Sequence, residues 1–410
     1  MKKTLTLTAL AAGITLAACE SGNKSSEPVN FIVLGDSGYH HDYLDPEDLG
    51  INAQDLVEME RADWVEKGKP IESFKLFPTH TIPGTDSVIE QSGQQSVANA
   101  IANFCASAPC DFMTLLGDNI YPDGADGSSD DVERFHKILH QPYVNIESDN
   151  PDFQIYAALG NHDWDTSFEG RTAQVNYGET DERYELREPG YYRYRRGDAE
   201  FFVLDTNMLL AGTTVYKDEL DENGIPINTG ELDRKEPYEN PINGEDLKQL
   251  AWLERSLSES QARWKIVYGH HTLWSSGGSK FEEAIALRRL LMPMLCENAD
   301  LYMAGHEHDL GIHQDTCEET LGHANSPLNL LISGAGSKQR SIHERFQAHQ
   351  VANNPTYRNI YNQGMVWGFA HVILNGDDAT IEMVTTPNDQ SGDTNISFRY
   401  EFENRSMTNR

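Results

Sequence analysis

The stretch Asp300–His308, DLYMAGHEH, joins an apolar run of strand length to a turn with two histidines two residues apart. Short apolar runs that end in Gly, Asp or Asn are typical of buried strands. Taken alone, the GHEH segment is explained by a polar loop. The same kind of ending follows other apolar runs in the chain, so these runs are best considered together.

Eight runs have this form. In chain order they are NFIVLGD, DFMTLLGD, FQIYAALGN, EFFVLDTN, WKIVYGH, DLYMAGH, LNLLISGAG and AHVILNG. Segments with apolar residues at three- and four-residue spacing lie between them, as in QQSVANAIANF, LKQLAWLERSL and FEEAIALRRLLMPML. Buried strands that alternate with helices predict an α/β sandwich with at least part of the sheet parallel.

Five of the runs end in side chains that can bind metals. The ends carry, in order, Asp36; Asp118 and Tyr121; Asn161, His162 and Asp163; His270 and His271; His306 and His308. In open α/β sheets, sites form in the crevice beyond the carboxyl ends of the strands. We therefore expect these side chains to converge on one site.

The five motifs GDSG, GDNIY, GNHD, VYGH and GHEH occur in this order. They resemble the signature blocks of the calcineurin-like metallophosphoesterases, and the tyrosine of GDNIY resembles the purple acid phosphatase branch. Supporting blocks extend the similarity from about Asn30 to Leu374. The fold that the resemblance implies is a four-layer α/β/β/α sandwich of two mixed sheets with flanking helices.

The resemblance also implies two metal sites that share Asp118. The ferric site would be formed by Asp36, Asp118, Tyr121 and His308, and the divalent site by Asp118, Asn161, His270 and His306. Carboxylate and phenolate oxygens suit Fe(III), whereas imidazoles and an amide oxygen suit Zn, Mn or ferrous iron. The expected cofactors are therefore Fe(III) and one of these divalent metals.

Two further histidines are candidates for catalysis. In the family pattern, His162 contacts the substrate and helps to protonate the leaving alkoxide, although a structural histidine bonded to a backbone carbonyl is an alternative. Asp163 either orients His162 or caps the following turn. His271 stands where many small purple phosphatases have tyrosine, and we treat it as a candidate for substrate contact.

The function implied is that of a metal-dependent phosphatase. It would cleave phosphomonoesters by direct attack of metal-bound hydroxide, with small-molecule phosphate esters as substrates. The same core would also serve a phosphodiesterase or a nucleotidase. A rival from another class is a metal-stabilised surface binding protein without catalysis, but such a protein would be expected to lose a ligand or His162, and none is missing.

The N-terminus indicates export. Residues 1–18 resemble a signal peptide, and LAAC, ending at Cys19, resembles the lipobox of bacterial lipoproteins. Acylation of Cys19 would anchor the protein to a membrane; the alternative is cleavage nearby with Cys19 unmodified. The resemblance to bacterial lipoproteins, in which Asp at this position would suggest retention at the inner membrane, implies with Glu20 the outer membrane, facing the periplasm or the cell surface. Residues 19–28 are polar and read as a flexible tether.

Four cysteines remain, Cys105, Cys110, Cys296 and Cys317. An even number in an exported chain favours disulfides. The short segment CASAPC could close a small loop between Cys105 and Cys110, and Cys296 would then pair with Cys317. Three pairings are possible in principle, so the connectivity stays open.

Residues 29–410 are expected to form one metallophosphoesterase domain. Two segments fit the strand and helix pattern poorly, about 39–91 and 208–246, and long irregular segments of this kind are usually functional lids or insertions. The chain has 65 acidic and 32 basic residues, a formal net charge of −33, so it repels polyanions. Nucleic acid is therefore not an expected partner, and the sequence does not indicate an oligomeric state.

Overall fold

The computed structural model describes residues 27–44, 49–150, 152–235, 240–323 and 326–405. The predicted signal peptide, the lipidation candidate Cys19 and most of the tether lie outside the described residues. Among the described residues, no helix combines the length and the apolar character that crossing a bilayer requires.

The described residues form sixteen strands: β1 (Val29–Leu34), β2 (Thr79–Thr81), β3 (Val88–Glu90), β4 (Phe112–Leu116), β5 (Gln154–Ala158), β6 (Tyr184–Glu185), β7 (Tyr192–Arg196), β8 (Ala199–Val203), β9 (Trp264–Tyr268), β10 (Leu301–Ala304), β11 (Leu310–Asp315), β12 (Leu328–Ser333), β13 (Tyr357–Gln363), β14 (Trp367–Asn375), β15 (Asp378–Thr386) and β16 (Asn395–Glu403).

They also form eleven α-helices: α1 (Ala53–Glu66), α2 (Gln94–Cys105), α3 (Asp131–Phe135), α4 (Val144–Asp149), α5 (Asn161–Trp164), α6 (Phe168–Val175), α7 (Thr206–Ala211), α8 (Glu245–Glu259), α9 (Phe281–Asn298), α10 (Glu318–Leu321) and α11 (Glu344–Asn353). Each of the eight apolar runs contains a strand, and the three amphipathic segments form α2, α8 and α9.

Two seven-stranded mixed sheets carry the fold. The first has the order β16-β15-β14-β1-β4-β5-β6, with β1, β4, β5 and β6 parallel. The second has the order β13-β11-β12-β10-β9-β8-β7, with β8, β9, β10 and β12 parallel. In the first sheet the antiparallel strands β14, β15 and β16 lie on one side of the parallel strands. In the second sheet antiparallel strands lie on both sides, β11 and β13 on one and β7 on the other. This arrangement confirms the predicted mixed α/β class.

Aromatic side chains join the two sheets face to face. The Phe201 ring, on the second sheet, meets Phe31 and Phe112 of the first sheet edge-on, with centroids 5.2 and 5.4 Å apart. Tyr156 and Tyr194 stack across the same interface at 3.7 Å. Because the central strands are buried on both faces, their sequences are continuously apolar instead of alternating.

Helices cover the outer face of each sheet. On the first sheet, Phe104 of α2 packs on Phe369 of β14 with ring centroids 5.6 Å apart. On the second, α8 and α9 bury Leu253 and Leu287 in one cluster with Val267 of β9. The layers are therefore helix, sheet, sheet, helix, as the resemblance to the metallophosphoesterases implies.

The first predicted insertion contains regular structure that the sequence analysis did not predict. It holds the 14-residue helix α1 and the hairpin β2–β3. Only Leu56 and Trp64 of α1 are buried, which explains why its periodicity is weak. The Asn52 side chain caps this helix by accepting hydrogen bonds from the backbone N–H groups of Gln54 and Asp55, both at 3.0 Å.

Two disulfide bonds are present. Cys105 is bonded to Cys110, with Cα atoms 5.4 Å apart, and Cys296 to Cys317, with Cα atoms 5.6 Å apart. The first closes the turn after α2. The second ties α9 to the segment that follows β11, across a sequence separation of 21 residues.

Candidate metal centre

The turns after the parallel strands place the predicted ligands in an uncommon backbone conformation. Asp36, Asp118, His306 and His308 have φ values of 54°, 51°, 70° and 50°. Such left-handed conformations cost free energy for residues other than glycine and cluster at functional sites. Gly305 lets the sheets approach, because a Cβ there would lie 2.5 Å from Oδ2 of Asp36. The backbone is therefore shaped to present these side chains.

One group of donor atoms surrounds the Tyr121 hydroxyl. This oxygen lies 2.7 Å from Asp118 Oδ2, 3.2 Å from Asp36 Oδ1 and 3.3 Å from His308 Nε2. His308 Nε2 also lies 3.3 Å from Asp36 Oδ1. The four residues predicted for the ferric site thus lie together in the structure.

A second group surrounds Nε2 of His270. This nitrogen lies 2.9 Å from His306 Nδ1, 3.2 Å from Asn161 Oδ1 and 3.3 Å from Asp118 Oδ2. These are the four residues predicted for the divalent site. Oδ2 of Asp118 also contacts Tyr121, so a single carboxylate oxygen belongs to both groups.

Hydrogen bonds at the far nitrogens of two rings favour metal binding at the near ones. His270 Nδ1 lies 2.9 Å from the carbonyl oxygen of Leu116, and His306 Nε2 lies 2.7 Å from a carboxylate oxygen of Glu283. Donation to these acceptors leaves a lone pair on His270 Nε2 and on His306 Nδ1. Both lone pairs face the second group, so its donor set fits a cation.

Electrostatics lead to the same conclusion. Burial raises the pKa of Asp36 to about 7. Burial, followed by the charges of Asp118 and Asp36, raises the pKa of Tyr121 well above its ordinary value. Burial would also raise the pKa of Asp118, but His270 and His162 outweigh it and hold that pKa low. A bound cation would compensate this concentration of negative oxygens.

His162 lies at the edge of this cluster with 31% of its side chain exposed. Its Nδ1 donates to the carbonyl oxygen of Pro122, and its Nε2 lies 4.0 Å from Asp118 Oδ2. The ring centroid is 4.3 Å from that of Tyr121. The bond to a backbone carbonyl therefore fixes one nitrogen and leaves the other toward the site.

Asp163 braces the turn and makes no hydrogen bond to His162. Its carboxylate accepts from the backbone N–H groups of Gly160, at 2.7 Å, and Asn119, at 3.0 Å. The Gln174 amide donates to the same group at 3.1 Å. Of the two roles considered for Asp163, capping the turn is the one that matches these contacts.

His271 is buried beside the second group. Its Nδ1 lies 2.8 Å from Oγ1 of Thr206, and burial lowers its pKa to about 3. His270, His271 and His306 offer nitrogens within 4.8 Å of one another. His271 differs from the other two because its engaged nitrogen faces a hydroxyl instead of a fixed backbone carbonyl or carboxylate.

Glu283 and Lys235 are site residues that the sequence analysis missed. Glu283 lies in the first turn of α9 and accepts from His306, while Lys235 Nζ lies 2.5 Å from its other carboxylate oxygen. Glu283 stands in no strand-end motif, and Lys235 lies in the irregular second insertion. The amphipathic pattern predicted a helix in this part of the sequence, but it did not indicate that the helix contacts the GHEH motif.

Both insertions reach the centre. Residues of the first insertion, including Met59, Ile89 and Glu90, line a cavity of about 340 Å³ together with His308 and Arg340. Residues 234 and 235 of the second insertion line a smaller cavity of about 150 Å³ that also borders Asn161 and His306. The two segments therefore form walls on opposite halves of the centre.

Similarity to known proteins agrees with this arrangement. The family model described as Calcineurin-like phosphoesterase matches residues 29–310. Purple acid phosphatase 17 of Arabidopsis thaliana is 29% identical over 296 residues, covering 70% of this chain and 75% of the relative. Tartrate-resistant acid phosphatase type 5 of Oryctolagus cuniculus is 27% identical over 273 residues, covering 66% and 74%.

Solved structures share the fold. The inner-membrane-complex anchor GAP50 of Plasmodium superposes with a TM-score of 0.56 at 14% identity, covering 92% of this chain and 89% of that one. Purple acid phosphatase PPD1 from yellow lupin (Lupinus luteus) seeds gives a TM-score of 0.53 at 14% identity, covering 92% of this chain and 54% of the lupin chain.

These relatives imply a dinuclear metal centre, and the two donor groups that share Asp118 provide residues suited to hold it. The prediction of a metal-dependent phosphatase is confirmed by the family match and the phosphatase relatives. Since the matched region contains all five strand-end motifs, the chain belongs to the calcineurin-like phosphoesterase family.

Proposed function

We propose that the protein hydrolyses phosphomonoesters at a centre that holds Fe(III) and a divalent Zn, Mn or Fe ion. The observation that carries the proposal is the sharing of Asp118 between an oxygen-rich group, with Tyr121, and a histidine-rich group, with His270. Hard oxygen donors suit a trivalent ion and neutral nitrogens suit a divalent one. The resemblance to purple acid phosphatases supports the same assignment.

When bound, two such cations acidify a water molecule and neutralise charge on the phosphate. The side chains of this protein supply the position and the orientation. Asp36, Tyr121 and His308 would hold the ferric ion, and Asn161, His270 and His306 the divalent ion, with Asp118 between them. Attack of water on phosphorus then needs no phosphorylated side chain.

His162 is proposed to supply the proton to the leaving alkoxide. Because Pro122 accepts a hydrogen bond from Nδ1, the proton that is transferred has to be carried on Nε2. That nitrogen lies 4.0 Å from Asp118 Oδ2, and the side chain is partly exposed. A substrate at the centre can therefore reach it without displacing a buried group.

The test compares His162→Ala with His306→Ala on an alkyl phosphate and on nitrophenyl phosphate. His162→Ala should keep both metals and lose roughly 10²–10⁴-fold in turnover of the alkyl ester. The loss should be smaller for nitrophenyl phosphate, whose leaving group needs less protonation. His306→Ala should lose the divalent metal and act slowly on both esters. The exposed His136 provides a control, and His136→Ala should change neither metal content nor rate.

Equal slowing of both esters by His162→Ala, or loss of metal from that variant, would assign His162 to substrate binding or to the ligand shell. Two further substrates distinguish a phosphomonoesterase from its alternatives. Preferred hydrolysis of bis(nitrophenyl) phosphate would indicate a phosphodiesterase, and preferred hydrolysis of a nucleoside monophosphate would indicate a nucleotidase. A protein that retains both metals but turns over none of these substrates would be a metal-stabilised binding protein.

We further propose that the protein is exported and anchored through an acylated Cys19 in the bacterial cell envelope, at the outer membrane. Two disulfide bonds support an oxidising compartment. The lipobox-like LAAC sequence supports acylation. Mass spectrometry of the N-terminal peptide tests the modification, and Cys19→Ala should release the protein from the membrane fraction.

A further inference from the structure

The cavity of about 150 Å³ beside the divalent half of the centre has an unusual wall for so acidic a protein. Its lining contains metal-ligand candidates, three basic residues and the carboxylates of Asp165 and Glu283. Six of its lining residues matter here: Asn161, His271, His306, Arg234, Lys235 and Lys280. The formal charge of the whole chain is −33, whereas the basic side chains that line this cavity outnumber its carboxylates by three to two.

The three cations are not equivalent. Lys235 Nζ is engaged by Asp233 and Glu283, each at 2.5 Å, so its charge is largely used within the protein. Lys280 is half-buried just before α9 and has no carboxylate within 4.0 Å among the described residues. Its ammonium group is therefore not engaged by a carboxylate as that of Lys235 is, and it can contact a ligand.

A buried imidazole adds a second unpaired donor. The backbone N–H of His271 donates to Thr206 Oγ1 at 3.2 Å, and the same oxygen lies 2.8 Å from His271 Nδ1. If Thr206 accepted from both nitrogens, its own buried hydroxyl hydrogen would have no acceptor. Donation from Thr206 to Nδ1 satisfies all three groups. The ring proton then sits on Nε2, which has no partner among the described residues.

From these groups we propose that the cavity is a subsite for a second oxyanion, so that the protein selects phosphate esters whose leaving group carries a further phosphate or carboxylate. The inference rests on the proposed phosphatase function and specifies its substrate class. Lys280 supplies the charge and His271 Nε2–H a hydrogen bond. Neither residue is among the proposed metal ligands.

The size of the cavity restricts the group that it can accept. Its volume of about 150 Å³ is less than half that of the cavity of about 340 Å³ beside His308. We therefore assign a small oxyanion to it, a phosphate or a carboxylate. The subsite would recognise this second anion and leave the linking part of the substrate unspecified.

The kinetic test uses three esters that differ only at the far end: propyl phosphate, 2-carboxyethyl phosphate and propane-1,3-diyl bisphosphate. The wild type should have a higher kcat/KM for at least one of the two anionic esters than for propyl phosphate. Lys280→Ala should reduce that ratio roughly tenfold, the effect of one charged hydrogen bond, and Lys280→Arg should restore most of it. The exposed Lys248 of α8 is the matched control, and Lys248→Ala should leave the ratio unchanged.

Comparison of the two anionic esters shows whether the subsite takes carboxylate or phosphate. A wild type without preference for either would overturn the proposal, as would equal changes in Lys280→Ala and Lys248→Ala. A binding experiment keeps this result independent of turnover. Calorimetry with propylphosphonate, 3-phosphonopropanoate and propane-1,3-diylbisphosphonate should show tighter binding of at least one of the last two, and this difference should be lost in Lys280→Ala. Selective binding without hydrolysis of any ester would refute the proposed phosphatase function and retain the subsite. Equal binding of all three phosphonates would refute the subsite.

Discussion

Nε2 of His306 lies 2.7 Å from the carboxylate of Glu283, and both side chains are buried. The contact joins the strand-end motif GHEH to the first turn of α9. A carboxylate at this position holds the proton on Nε2 and directs Nδ1 toward the second donor group. Glu283 is thereby linked to the divalent site without being one of its ligands.

The first prediction concerns Glu283. Glu283→Gln should weaken retention of the divalent metal by roughly 10–100-fold, because the neutral amide holds the His306 tautomer less strongly. Metal content after dialysis against graded chelator measures the change. The neighbouring Glu282 makes no hydrogen bond to a site histidine, so Glu282→Gln is the control. Equal metal retention in both variants would show that Glu283 only supports α9.

The second prediction concerns Tyr121. If iron binds to the phenolate, the oxidised protein should be coloured by charge transfer, and Tyr121→Phe should abolish the colour while the fold is kept. Visible absorption with metal analysis measures this. Tyr39, whose ring centroid lies 6.3 Å from that of Tyr121, donates to the Glu90 carbonyl; Tyr39→Phe should stay coloured. An active wild type without colour or iron would contradict the assignment.

The third prediction concerns the disulfides. Replacing both Cys296 and Cys317 by alanine should destabilise the protein by about 3 kcal/mol, because their bond closes a loop of 21 residues in sequence separation. The corresponding replacement of Cys105 and Cys110, whose sequence separation is 5, should lower the free energy of unfolding by about 2 kcal/mol. Denaturant unfolding of both double variants gives the comparison. A larger loss for the shorter loop would show that local packing, not chain entropy, dominates.

The fourth prediction concerns pH. Burial raises the pKa of Glu90 to about 7 from an ordinary 4.5, although Lys338, 3.9 Å away, acts against this. The folded state therefore holds the proton more tightly than the unfolded state, and stability falls as pH rises between these values. Glu90→Gln should remove the contribution of Glu90 to this fall in stability with rising pH.

Thermal unfolding at about pH 5 and about pH 7 measures the effect of Glu90. The difference between the two pH values should be smaller in Glu90→Gln than in the wild type. Glu58, which is exposed on α1, provides a control of equal charge change. If Glu58→Gln and Glu90→Gln shift the pH dependence equally, burial of Glu90 is not its cause.

Local sequence was sufficient for the parallel strands of both sheets, except the two-residue β6, and for three covering helices. Strands buried on both faces have continuous apolar runs, and each run ends where a polar turn begins, so β1, β4, β5, β9 and β10 also marked the donor residues. Strands nearer the sheet edges were harder to find. β16, for example, alternates between exposed and half-buried residues, and α1 buries only two side chains.

The sequence by itself determined which strand ends carry metal-binding side chains, because a strand, its turn and its ligand are neighbours along the chain. Tertiary structure alone decided which groups contact those side chains and their neighbours. Glu283 reaches His306 from 23 residues away, and Thr206 reaches His271 from 65. A histidine tautomer and the charge of a cavity depend on such contacts, and no local pattern specifies them because their partners come from separate elements that only packing brings together.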